Sequence, residues 1–225
     1  NLTGEAKKVE TKAWNYIVSN RESLISQYEK KNGNLVNTDS VRELFSDYVA
    51  DRSRSAWVHE PSSYLTKEIY SEMLKSNAGK GNGRVLFTSG GTGAGKSTGL
   101  EVFGRGSEYS IVYDTNMNTL KSSVDKIELA LENGYTVDLL HTYREPIEAL
   151  KNGALPRAER MGRTVPISEH TKTHIGSLDV MDKVAEIFAN DPRVRIHAFD
   201  NSFGKGHAIL VPKESSIDFL RGKRQ

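Results

Sequence analysis

A short apolar run, Arg84-Val-Leu-Phe-Thr-Ser89, leads straight into Gly90-Gly-Thr-Gly-Ala-Gly95-Lys96-Ser97. Every fixed position of the pattern G-x-x-x-x-G-K-[ST] is filled. Such a loop must turn back on itself so that successive N–H groups face phosphate oxygens, and glycine reaches the required conformations at least cost. Lys96 supplies a point charge for the β- and γ-phosphates, and the Ser97 hydroxyl suits Mg²⁺. Thr98 and Leu100 open a helix whose positive N-terminal end favours an anion. The expected nucleotide-binding set is therefore Gly90, Gly91, Thr92, Gly93, Ala94, Gly95, Lys96, Ser97 and Thr98, with Ser97 also the metal ligand. A strand before the loop and a helix after it are what the mechanism requires.

The rest of the chain supplies the matching fold. Ser110–Tyr113, Tyr135–His141, Val194–Phe199 and Ala208–Val211 read as further strands. Between them, Leu120, Val124, Ile127 and Leu131 mark an amphipathic helix, a helix is expected near Glu145–Leu150, and Val180, Val184 and Ile187 mark a long one. Strands alternating with helices predict an α/β fold of the P-loop kinase-like kind, with a mostly parallel sheet covered on both faces. Ahead of this lies a helical segment over residues 1–32, stopped by Lys30-Lys-Asn-Gly33. Leu35-Val36 is a short strand, a helix is expected from Val41 to Val49, and Pro61 opens another along Leu65, Ile69 and Met73. The expected division is a segment over 1–32 and a kinase-like domain over 33–225, with a lid at about 155–166.

Composition excludes several classes. The chain has no cysteine, so it has no disulfide framework, thiolate nucleophile or cysteine-based zinc site. Lys and Arg total 31 against 29 Asp and Glu, a net charge of +2 that gives no basic footprint for nucleic acid. No apolar run reaches the ~18–20 residues of a membrane helix, and no signal peptide is visible, so a cytoplasmic location without a membrane partner is expected. The chain begins at Asn1 rather than Met, as a trimmed piece of a longer protein would.

In open α/β sheets, ligands sit beyond the carboxyl ends of the strands. Two acids fall there: Asp39 after Leu35-Val36, and Asp114 after Ile111-Val-Tyr113. One could accept a hydroxyl proton and one could position Mg²⁺, although Asp39 could equally cap the helix it begins. Arg157, Arg160 and Arg163 recur every three residues, flanked by Gly153, Gly162 and Pro166. A helical turn would point them roughly one way, as a phosphate clamp or as a solvated basic face. His170 and His174, four apart beside Glu169, lack a third ligand and make a poor metal site. Trp14 and Trp57 are expected to pack rather than stack on bases, and Arg221-Gly-Lys-Arg224 is expected to be a solvated tail.

These residues together resemble the zeta-toxin kinases, P-loop proteins that phosphorylate nucleotide sugars of the UDP-N-acetylglucosamine type with ATP and Mg²⁺. Three stretches between Gly33 and Asp200 carry the likeness. Gly33-Asn-Leu-Val-Asn-Thr-Asp39, with Arg42-Glu-Leu-Phe45, Asp47-Tyr48 and Val58-His-Glu-Pro-Ser-Ser63, is similar to the family segment bearing the catalytic base. The resemblance gives that role to Asp39 and puts His59, Glu60 and Ser63 near the acceptor. Ile111-Val-Tyr-Asp-Thr-Asn116 resembles the strand that holds the substrate, through Asp114 and Asn116. Pro156-Arg157 through Gly162-Arg163-Thr-Val-Pro166 and His170 resembles the lid, with Arg157 and Arg163 the best matches to the phosphate-clamping arginines and Arg160 a weaker one. In the better-known members the base-bearing strand follows the glycine loop, whereas Asp39 precedes it here, so the order looks permuted.

The resemblance implies an ATP- and Mg²⁺-dependent transfer to a hydroxyl of a nucleotide-like small molecule, and an antitoxin or immunity protein as partner. Two alternatives stand beside it: a P-loop ATPase or nucleotide switch acting on a partner, and a kinase of nucleic-acid ends or of a dinucleotide. A switch needs a positioned hydrolytic water and a large partner surface, and an end kinase needs a basic groove. The clustered arginines favour a small enclosed acceptor instead.

Overall fold

The computed structural model describes residues 2–77, 83–103, 108–161, 166–204 and 207–224. The chain forms two compact units, Asn1–Ser76 and Asn77–Gln225.

The first unit contains the long helix α1 (Gly4–Asn32), the strand β1 (Leu35–Asn37), two single-turn helices α2 (Thr38–Arg42) and α3 (Ser46–Ala50), a 3₁₀ turn at Arg52–Ala56, and α4 (His59–Ser76). Val9, Ala13, Ile17, Leu24, Ile25 and Tyr28 fall on the buried stripe of α1, as their spacing predicts. Gly33, at φ +59°, ends the helix, and its N–H donates to the Glu29 carbonyl. Helix α1 packs against α4, with Arg21 reaching Glu68 and Glu72 on α4. Trp14 packs against Tyr64, and the Arg54 guanidinium lies over Trp57.

The helix expected over Val41–Val49 is two helices broken before Ser46. The reason is local. The Asn37 side chain caps α2 by accepting from the amides of Asp39 and Ser40, so the helix begins at Thr38, and Phe45 is extended at φ −99°, ψ 116° between the two helices. Asp39 is thus inside the first turn and not the cap.

In the second unit, β2 (Arg84–Ser89), β3 (Ile111–Asp114), β4 (Thr136–Tyr143), β5 (Val194–Asp200) and β6 (Ile209–Leu210) line up in the order β3-β2-β4-β5-β6. The pairs β3/β2, β2/β4 and β4/β5 are parallel, and only β6 runs antiparallel to β5. Val85, Leu86, Phe87, Val137, Leu139 and Leu140 are inaccessible to solvent, as central strands covered on both faces must be. The connecting helices are α5 (Lys96–Phe103), α6 (Leu120–Glu132), α7 (Pro146–Ala149), α8 (Leu155–Met161), α9 (Ile167–Ile187) and α10 (Ser216–Gly222). This is the expected α/β, P-loop kinase-like architecture. No helix among the described residues is long and apolar enough to cross a membrane.

Two features were not legible in the sequence. A π-helical turn over Leu150–Ala154 joins α7 to α8, and α9 begins at Ile167, well ahead of the apolar positions that mark its second half.

Candidate active site

The register Ser89↔His141, Phe87↔Tyr113 and Tyr143↔Asp200 brings the carboxyl ends of β2, β3, β4 and β5 to one edge of the second unit. The chain leaves β2 toward β3 and returns on the other side of β2 as β4, so the glycine loop emerges at the switch in strand order. Lys96 and Ser97 stand in the first turn of α5.

The loop is tied down on every side. Gly93 adopts φ +77°, and a Cβ there would run into the Ala149 carbonyl and the Ala154 amide. Only glycine tolerates both the conformation and the approach. Gly153, from the π-helical turn, packs backbone to backbone against Gly93. Gly91 lies against the imidazole of His174, leaving no space for a side chain. The Thr92 amide donates to Thr173 Oγ1 at 3.1 Å, and His174 Nε2 meets the Thr92 carbonyl at 2.9 Å. The Ala94 carbonyl accepts from Asn201 Nδ2 at 2.8 Å.

Lys96 Nζ donates to the Gly90 carbonyl at 3.2 Å and to Asn116 Oδ1 at 2.6 Å. The Asn116 carbonyl in turn accepts from the Gly90 amide. Asp114, at the end of β3, accepts from Thr88 Oγ1 at 2.6 Å, and the Thr115 amide donates to the same hydroxyl. Asp114 at the end of β3 and Asn116 just beyond it are therefore tied to β2, the glycine loop and Lys96. For Mg²⁺, the Ser97 hydroxyl and the Asp114 carboxylate are hard oxygen donors of the kind that ion prefers. Ser97 is exposed and Asp114 half-buried. No group of three or more His, Cys, Asp or Glu among the described residues forms a metal cage.

Behind the loop lies His141, fully buried, with Nδ1 3.0 Å from Ser89 Oγ. Burial, reinforced by the nearby charge of Lys96 and by His174, pushes its pKa down to about 3. His141 is therefore neutral at ordinary pH. His174 is also depressed, chiefly by burial, although its bond to the Thr92 carbonyl works the other way.

Arg157 and Arg160 lie exposed on α8. Arg160 Nε donates to the Pro156 carbonyl one turn back. Arg163 lies outside the described residues. The described part of the arginine segment is helical over Leu155–Met161.

Asp39, His59, Glu60 and Ser63 belong to the first unit. Arg42 is buried and bridges two of them: Nη1 donates to Asp39 Oδ1 at 2.5 Å and Nη2 to His59 Nδ1 at 3.0 Å. His59 and Glu60 are exposed in the first turn of α4, with Ser63 half-buried one turn on.

Part of the chain also matches a protein-family model. Residues 104–203 match the model described as Zeta toxin. The matched stretch begins after the glycine loop and contains Asp114, Asn116 and the arginine segment. Over that stretch the chain is similar to the zeta toxins, and with the loop motif it reads as a P-loop kinase-like enzyme of the ATP-using kind. Comparison with curated proteins gave no match.

Several residues of the site were missed from sequence. The spacing of His170 and His174 on one helix face was visible, but what it serves was not. Each Nε2 faces a backbone carbonyl, Pro146 for His170 and Thr92 for His174, and the rings lie 4.5 Å apart. The pair braces the loop and α7. Asn201 and Thr173 carried no signal at all, because only folding brings them to the loop.

Proposed function

We propose that this chain is an ATP-dependent kinase that transfers the γ-phosphoryl group to a hydroxyl of a UDP-sugar or a similar nucleotide-like acceptor. The observation that carries the proposal is the braced glycine loop with Lys96 held beside Asn116 and the Asp114 strand end. In this reading the amides from Gly93 onward cradle the phosphates and Lys96 leaves Asn116 to meet the β- and γ-oxygens. Mg²⁺, held by Ser97 with help from Asp114, would neutralise charge on those oxygens. Asp39, steadied by Arg42, takes the proton of the acceptor hydroxyl as its oxygen bonds to the γ-phosphorus and the bond to the β–γ bridging oxygen breaks, releasing ADP. Arg157 and Arg163, with Arg160 beside them, stabilise the charge on the transferring group. His59, Glu60, Ser63, Asp114 and Asn116 contact the acceptor. The base-bearing segment precedes the glycine loop, so this reading also carries a permuted order relative to the better-known zeta toxins, and an antitoxin or immunity protein as partner.

The test is incubation with γ-labelled ATP, Mg²⁺ and a panel of UDP-sugars, dinucleotides and oligonucleotides. Label on a UDP-sugar, lost in Lys96→Ala and Asp39→Asn, supports the proposal. Label found only as free phosphate would replace it with an ATPase or nucleotide switch.

A further inference from the structure

The glycine loop is gripped by a helix that the motif does not contain. Thr92 is held at three points by two consecutive residues of α9. Its amide donates to Thr173 Oγ1 at 3.1 Å, its hydroxyl lies 3.3 Å from the same oxygen, and its carbonyl faces His174 Nε2 at 2.9 Å. The proton positions follow from chemistry. A carbonyl can only accept, so His174 carries its proton on Nε2. Thr173 Oγ1 gives its own proton to the His170 carbonyl at 2.9 Å, so it accepts from Thr92.

We propose that His174 is a positioning residue of the triphosphate site, which sets the height of the loop tip by donating to the Thr92 carbonyl, with Thr173 completing the grip. The inference rests on the nucleotide-binding reading given above and adds the group that fixes the loop's shape.

Three further observations support it. His174 is 5% exposed and its ring abuts Gly91, so the imidazole has little freedom to leave. His170, its ring tilted against that of His174 with centroids 4.5 Å apart, donates from Nε2 to the Pro146 carbonyl at 2.8 Å and so anchors the start of α7. The far end of α7 and the π-helical turn abut Gly93. Helix α9 therefore holds Thr92 directly and, through His170, anchors the helix whose far end meets Gly93. The charged and titratable groups around His174 are Lys96, His170, Glu145 and His141. With burial the largest influence and its pKa lowered, His174 stays neutral and acts by geometry, not by adding charge to the phosphate site.

The experiment compares His174→Leu, His174→Gln and Thr173→Val in the full chain. Binding of ATP with Mg²⁺ is measured at equilibrium without acceptor, and amide hydrogen exchange of the peptide spanning 90–96 is followed in nucleotide-free protein. Thermal midpoints report folding separately. Glutamine can place an N–H near the position of Nε2, whereas leucine fills the space without a donor. One lost neutral hydrogen bond to a loop carbonyl should weaken ATP binding about tenfold and speed loop exchange about tenfold in His174→Leu. His174→Gln should stay within about threefold of wild type, and Thr173→Val should lose about threefold to tenfold. Equal behaviour of the leucine and glutamine variants in both readouts would overturn the inference alone, because packing and not the donor would then matter. Wild-type protein that binds no ATP would overturn the reading of the site and this inference together.

Discussion

Replacing His141 by asparagine should flatten the acid side of this protein's stability curve. In the folded chain the imidazole is sealed behind the glycine loop, and burial with the neighbouring Lys96 charge lowers its pKa from 6.5 to about 3. Once unfolded, the ring takes a proton near its ordinary value. Between those two values the unfolded state binds the extra proton and the folded state does not, so stability rises with pH there. The contribution is complete above 6.5 and is lost as pH falls toward 3. From about pH 7 to about pH 4 the loss is about 3 kcal/mol, or a fall of roughly 1–2 M in urea midpoint. Asparagine can present an N–H near the Nδ1 position facing Ser89 and has no proton to gain. The assay is urea unfolding at a series of pH values, wild type against His141→Asn. Both tryptophans, Trp14 and Trp57, lie in the first unit, so their fluorescence isolates that unit. The transition seen by circular dichroism but not by tryptophan fluorescence reports the second. Parallel pH profiles for the two proteins would refute the buried, uncharged state of His141.

Lys96→Ala should weaken binding of ATP by about tenfold to a hundredfold, the loss expected for one charge-assisted phosphate contact, and abolish label transfer; isothermal titration and the labelled-ATP assay check it. Gly93→Ala combines a strained left-handed backbone with a collision against the Ala149 carbonyl, so it should lower stability by about 1–3 kcal/mol and raise the Kd for ATP. Asn37→Ala removes the cap of α2, costing about 1 kcal/mol, and should reduce acceptor phosphorylation more than ATP binding because Asp39 sits in that turn. Asp138 is 1% exposed between Arg84, Arg195 and His197, and its pKa is held at about 2. Asp138→Asn should cost about 2 kcal/mol or more, discounted for the partial exposure of both arginines, as read by thermal melting.

How much of this was readable beforehand depends on the range of the interaction. The P-loop, the strand leading into it and the parallel alternation of elements were all legible, because a motif at fixed spacing and the two hydrophobic periods are local properties. Asp114 could be placed at a strand end for the same reason, whereas Asn116 followed only from the family resemblance. The start of α2 was not legible, since Asn37 and Asp39 compete for one capping role and their order along the turn decides it. Nor was the π-helical turn, which brings Gly153 against Gly93, a residue far from it along the chain.

Sequence alone thus determined that a phosphate loop forms at Gly90–Ser97 and which residue types serve it, because glycine's conformational freedom and a lysine's charge are intrinsic to the residues. Only the tertiary structure decided what holds that loop in shape. His174, Thr173 and Asn201 are distant from it along the chain, and each meets a single backbone group there. A hydrogen bond reaches about 3 Å and has no signature in the order of residues; it exists only once the sheet and α9 have packed.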